Sequence, residues 1–380
     1  MQVQTSPRQA NNVLAWVVAG FGVILMALLL LSFMADTRPP TTSEVAGASS
    51  DRVAYLQFGL TSDTLWLFDP AGPLDRRELL SIPHAAEYGI LPSISPDGGR
   101  FAYTALPEGL AAPGPDSPAE LWVAAIDGAG QPRRLAQGVD LLVPPLWTPD
   151  GVSMVYRRSD AGAHTLAITG VAGGEERIAA YSETEALFPV GFLNEGTSLL
   201  FAGLSELEGS RLYAVELSSG VEAQVATLSQ ALTRDWVLSP DGTRLAFLEI
   251  AFSETDVASR AAVLDIETGA IVRMTSAGEV AFGPVWSDAG ELAVGVFDAD
   301  TREAALLVVD GESRSRIAGP ETGFDLPLAY NATAGAYLVR SFENDSITAP
   351  GRSTLVLAGA DGERKTIAEG EVTLVGWTRP

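Results

Sequence analysis

The chain has 380 residues, 47% of them hydrophobic, no cysteine and a formal net charge of −24. That length supplies a large core, and the missing cysteine excludes disulfides, thiolate catalysis and Cys-based zinc sites. From Ser50 onward 22 basic residues face 46 acidic ones, a field that repels nucleic acid and anionic lipid headgroups and suits solubility, cationic partners or divalent ions.

In chain order, residues 1–12 form a short tail, and residues 13–35 are a run of 23 without a charge. At about 1.5 Å per residue the run makes about 34 Å of helix, enough for a hydrocarbon core of roughly 30 Å. A secretory signal has a shorter apolar region and small residues at its cleavage site, whereas Phe33-Met34-Ala35 is bulky there. The expectation is an uncleaved single-pass anchor. Arg8 and the free amine precede it, and an acidic region follows. Positive-inside counting then puts the tail in the cytoplasm and the bulk of the chain outside, at the cell membrane. Residues 36–50 are polar, with Pro39-Pro40 and Ser49-Ser50, and read as a flexible linker.

Beyond the linker one phrase returns. It reads Ile94-Ser95-Pro96-Asp97-Gly98, Trp147-Thr148-Pro149-Asp150-Gly151, Phe192-Leu193-Asn194-Glu195-Gly196 and Leu238-Ser239-Pro240-Asp241-Gly242. Weaker copies end at Gly290 and Gly335, and the six glycines are spaced by 53, 45, 46, 48 and 45 residues. Short strands at such a period are the signature of propeller blades. Proline pre-sets one dihedral of the turn, aspartate accepts backbone N–H groups and glycine tolerates positive φ. Around it the strands read Trp236-Val237-Leu238, Leu245-Ala246-Phe247-Leu248, Ala261-Ala262-Val263-Leu264-Asp265 and Ile271-Val272-Arg273-Met274. Asp97, Asp150 and Asp241 are therefore turn-formers, and Trp147, Trp286 and Trp377 share one core position.

The ends complete the count. Val53-Ala54-Tyr55-Leu56, Leu65-Trp66-Leu67-Phe68-Asp69 and Glu78-Leu79-Leu80 read as the second to fourth strands of a blade that lacks its first. The strand at 372–377 supplies it, so residues 51–380 form an all-β, seven-bladed β-propeller closed by that pairing, with six blades as the alternative. The Ser-Pro-Asp-Gly phrase, followed by an apolar residue, alanine and an aromatic, resembles the WD40-like repeat of TolB-type propellers. It is similar also to the propellers of prolyl-oligopeptidase-like peptidases. The resemblance covers roughly 51–380 and implies the propeller fold, without specifying an activity.

Chemistry-bearing motifs are sparse. His84 and His164 fall in different blades, Lys365 is the lone lysine, and the nucleophile-elbow, zincin and P-loop patterns are absent. No catalytic residue is named, and no cofactor is expected, with Ca2+ as a possible ligand. Eleven residues before the turn glycines stand Glu87, Asp140, Glu185 and Glu279; Asp325 follows at the next register, and Glu371 aligns through Trp377. These carboxylates would meet just before the inner strands, at a channel mouth suited to a divalent cation or a basic peptide. Tyr88, Trp236, Phe282 and Phe324 lie nearby as apolar contacts. The expected function is an extracytoplasmic binding or scaffolding module for a protein, peptide or glycan. Its alternatives are a carboxylate-dependent hydrolase or lyase in the channel and an accessory subunit of a membrane complex.

Overall fold

The computed structural model describes residues 52–378 apart from 70–75, 111, 115, 160–163, 253–256, 277, 333 and 347–348. The expected tail, anchor and linker at 1–50 lie outside the described residues. Seven four-stranded antiparallel sheets follow one another around a ring, which removes the six-bladed alternative. Blade 1 runs from the centre outward as Val372–Thr378, Arg52–Gln57, Ser62–Phe68 and Arg76–Pro83, so it joins the two ends of the chain. Blades 2 to 7 are continuous in sequence. Their inner strands are Leu91–Ile94, Leu146–Trp147, Ala186–Leu193, Leu232–Leu238, Glu279–Trp286 and Phe324–Asn331.

Second strands explain why the sequence reads as apolar on both faces. Each is covered by the neighbouring blades, and Ser198–Ser205 is buried at every position. The core is thus a set of layers between blades. Between blades 5 and 6, Ala246, Leu248 and Val263 meet Trp286, Val294 and Leu307. Outermost strands are half exposed, as in Arg76–Pro83.

The repeated turn is a closed hydrogen-bond network. Ser239 Oγ donates to Asp241 Oδ1 at 2.6 Å, Thr243 N–H donates to the same oxygen at 3.0 Å, and Arg244 N–H donates to Ser239 Oγ at 2.9 Å. Gly242 completes it at φ +72°, a region that glycine enters without a steric cost. These donors hold the Asp241 carboxyl down to about 2. Asp97 and Asp150 make the same bonds with Ser95 and Thr148.

Inner strands are sheet edges, and their lining follows from that. Pro92, Pro189, Pro284 and Pro327 all sit on them, where a missing N–H breaks no ladder. Five of these strands are bulged at one comparable level. A bulge inserts one unpaired residue and re-aims side chains.

The two faces of the ring differ. One carries the Ser-Pro-Asp-Gly turns and short outer hairpins. The other, the loop face, carries the starts of the inner strands and the second-to-third strand connections. Its segments 84–90, 106–118 and 140–145 belong to blades 1 to 3. A satellite core of Ala85, Leu106, Ala119 and Leu141, with Tyr88 and Leu110 against it, orders this crest.

Candidate functional site on the loop face

Of the six carboxylates singled out by register, Glu185, Glu279, Asp325 and Glu371 lie at the loop-face starts of inner strands, while Glu87 and Asp140 lie in the connections 84–90 and 140–145; the six do not form one cluster. Asp140 accepts from Arg157 Nε and Nη2 at 2.9 and 2.6 Å and from Leu142 N–H at 2.8 Å. Asp325, wholly buried, is gripped by both terminal nitrogens of Arg364 at 2.8 and 2.9 Å. Glu279 pairs with Arg316 and accepts from Ser276 N–H at 2.7 Å. Glu371 pairs with Arg340 at 2.7 Å.

Glu185 uses a different partner. Tyr213 O–H donates to it at 2.9 Å, and Arg211 stands 3.7 Å away. The two side chains meet over Gly203, where a Cβ would lie 2.8 Å from the Tyr213 ring and 3.1 Å from the Glu185 carboxyl carbon. Burial raises the Tyr213 hydroxyl, and Glu185 adds to the rise against Arg211, so tyrosine remains the donor. Only Glu87 is exposed without such a clasp, at φ +70° in the 84–90 connection. Among the described residues no three His, Asp or Glu side chains converge as a metal site.

The aromatic neighbours divide. Tyr88 is half-buried and donates to Pro113 O at 3.2 Å, tying 84–90 to 106–118. Phe282 and Phe324 are 9% and 5% exposed and stack at 4.2 Å between blades 6 and 7. They belong to the core, where Phe297 joins them and Phe342 packs against the three. Trp236 lies within the inner strand of blade 5 and tilts against Phe188 of the preceding one at 5.4 Å.

The sequence reading missed the grip beneath the crest. His84 Nε2 is 3.0 Å from Asp63 Oδ1, its Nδ1 is 2.8 Å from Ala85 O, and both side chains are fully buried. Asp63 also accepts from Gly59 and Ile90 N–H at 3.0 and 2.8 Å. A carboxylate and a histidine 21 residues apart leave no local pattern; only the odd aspartate inside an apolar second-to-third strand region signals it.

No family model and no curated protein matches the chain. Solved structures match its fold. Prolyl oligopeptidase B from Galerina marginata, bound to a 25mer macrocyclization substrate, is 14% identical with a TM-score of 0.59, over 85% of this chain and 50% of that one. An oligogalacturonate lyase in complex with manganese is 13% identical with a TM-score of 0.56, over 85% and 86%. TolB from Acinetobacter baumannii is 18% identical with a TM-score of 0.49, over 71% and 63%. The chain therefore spans under two thirds of that TolB and half of the oligopeptidase. At these identities the likeness concerns architecture: the chain is a seven-bladed, all-β propeller.

Proposed function

We propose that the chain is a membrane-anchored, extracytoplasmic propeller whose loop face binds a protein or peptide partner. The carrying observation is the contrast between neutralised and free charge on that face. Arginine or tyrosine engages Asp140, Glu185, Glu279, Asp325 and Glu371, so these carboxylates brace the blades. Glu87, Glu108, Asp116, Glu183 and Glu206 remain exposed on the loops above them. Leu60 and Leu207, 54% and 93% exposed, stand among those acids. Acidic groups around isolated apolar tips suit a cationic segment with an apolar anchor.

The uncharged apolar run at 13–35 supports placement at a membrane. The carboxylate-dependent hydrolase or lyase reading lacks a free acid–base pair in the ring of six. Crosslinking in intact membranes with wild type and Leu207→Glu tests the proposal. One stoichiometric partner, lost in the variant, is expected; equal recovery from both, or no partner from either, overturns it.

A further inference from the structure

The seven inner strands carry four charged side chains among the described residues: Arg234, Asp235, Glu279 and Asp325. The last two are buried and clasped by outer-strand arginines. Arg234 and Asp235 are different. Both are about one third exposed (34% and 32%), and they sit at the bulge of blade 5. The corresponding inserted residues in four other blades are Val190, Gly283, Leu328 and Val375. Val375 packs in the layer between blades 1 and 2, and Val190 and Leu328 lie against the layers between blades 4 and 5 and between 7 and 1, so of these five bulges that of blade 5 alone carries a charged pair.

Its backbone is strained as well. Asp235 holds φ +54°, a conformation that costs a non-glycine residue energy and concentrates at functional sites. Beside the pair, Trp236 leans on Phe188, and Arg157 lies 4.4 Å over the Phe188 ring. The Arg157 side chain is 5% exposed, and its Nη1 is buried without a partner. Arg234 directs Nε and Nη2, each at 3.0 Å, to a single oxygen of Asp235, leaving the rest of its fork open. Guanidinium forks match carboxylates, and aromatic faces hold an apolar body.

We infer that the channel waist at Phe188, Arg234 and Trp236, with Arg157 behind them, is a binding site for a small carboxylate with an apolar or aromatic body, such as a peptide carboxyl terminus. Asp235 acts as the resident counter-ion that an incoming carboxylate displaces from Arg234. This site is separate from the loop-face surface and does not depend on it.

The test is calorimetric titration of the full chain in detergent with N-acetyl-L-phenylalanine and with its primary amide. The acid should bind about tenfold more tightly than the amide, as one lost charge-assisted hydrogen bond implies. Arg234→Gln should weaken the acid by a similar factor without weakening the amide. Asp235→Asn should tighten the acid, and asparagine tolerates the left-handed backbone. Equal affinity for acid and amide, no binding of either at millimolar concentration, or an unchanged acid affinity in Asp235→Asn would overturn the inference. The acid–amide comparison and Asp235→Asn decide the matter even if Arg234→Gln fails to fold.

Discussion

Two kinds of interface hold the ring together, and the closing one is built differently. Between blades 2 and 3, Trp147 Nε1 donates back to Ser93 O at 3.0 Å while Arg100 donates forward to Gly151 O at 2.9 Å and lies over the Trp147 ring. Blades 5 and 6 repeat this staple with Trp286 on Val237 O and Arg244 on Gly290 O, at 2.9 and 3.1 Å. Between blades 7 and 1 the tryptophan persists as Trp377, but Ala336, which begins the second strand of blade 7 and packs into this layer, stands where Arg100 and Arg244 begin theirs. Of the four buried side-chain polar atoms that lack a partner among the described residues, three gather there: Trp66 Nε1, Trp377 Nε1 and Arg340 Nε.

Each such atom costs about 1–3 kcal/mol, so the seam draws its strength elsewhere. It comes from the ladder between Arg52–Gln57 and Val372–Thr378, the Phe58 N–H to Glu371 O bond at 2.8 Å, and the Arg340–Glu371 pair. Where the chain is continuous, side-chain staples suffice; where its ends meet, backbone pairing carries the joint.

Removing residues 372–378 should have the largest effect, abolishing cooperative unfolding, because an edge of the first sheet and a full inter-blade layer are exposed together. Circular dichroism melts would show it, and a retained cooperative transition would break the comparison. Next comes Glu371→Ala, which strands the 12%-exposed Arg340 side chain; breaking such a buried pair costs about 3–5 kcal/mol. Denaturant titration reads it, and a loss no larger than that of Glu87→Ala on the exposed crest would contradict it.

Tryptophan-to-phenylalanine changes sharpen the contrast most cleanly. Trp147→Phe removes a satisfied donor and should cost about 1 kcal/mol beyond the packing change, whereas Trp377→Phe removes an unsatisfied one and should cost less or stabilise. Equal losses would show that the two interfaces are alike. The smallest effect concerns His84. Burial pulls its pKa down, but the Asp63 hydrogen bond and charge, with the Ala85 carbonyl, lift it above the ordinary 6.5. Both ring nitrogens face acceptors, so the charged form fits the site. Its contribution is complete below pH 6.5 and fades as pH rises through the raised folded value. The stability lost in His84→Gln should therefore shrink toward alkaline pH, and a loss independent of pH would refute the assignment.

Much of this was legible before the coordinates. The Ser-Pro-Asp-Gly phrase encodes a local network within five residues, and local networks write themselves into sequence. Strand phase followed from it, and so did the seven sheets. The strands themselves run longer than the apolar triplets suggested, as with Arg244–Phe252 against Leu245 to Leu248, because the backbone ladder to Val257–Asp265 continues along the whole strand. The clasps were illegible for the opposite reason. Asp140 and Arg157 are 17 residues apart, and Asp325 and Arg364 are 39 apart, so register exposed the acids and concealed their partners. The bulge that sets Asp235 into the channel wall has no motif of its own.

Amide hydrogen exchange of the closing strand tests the account most directly. Amides of 372–378 paired to Arg52–Gln57 should exchange only through global unfolding, as slowly as those of Ser198–Ser205 in the core of blade 4. Exchange of 372–378 at the rate of the exposed outer strands would show that the seam opens by itself, and that backbone pairing does not close the ring.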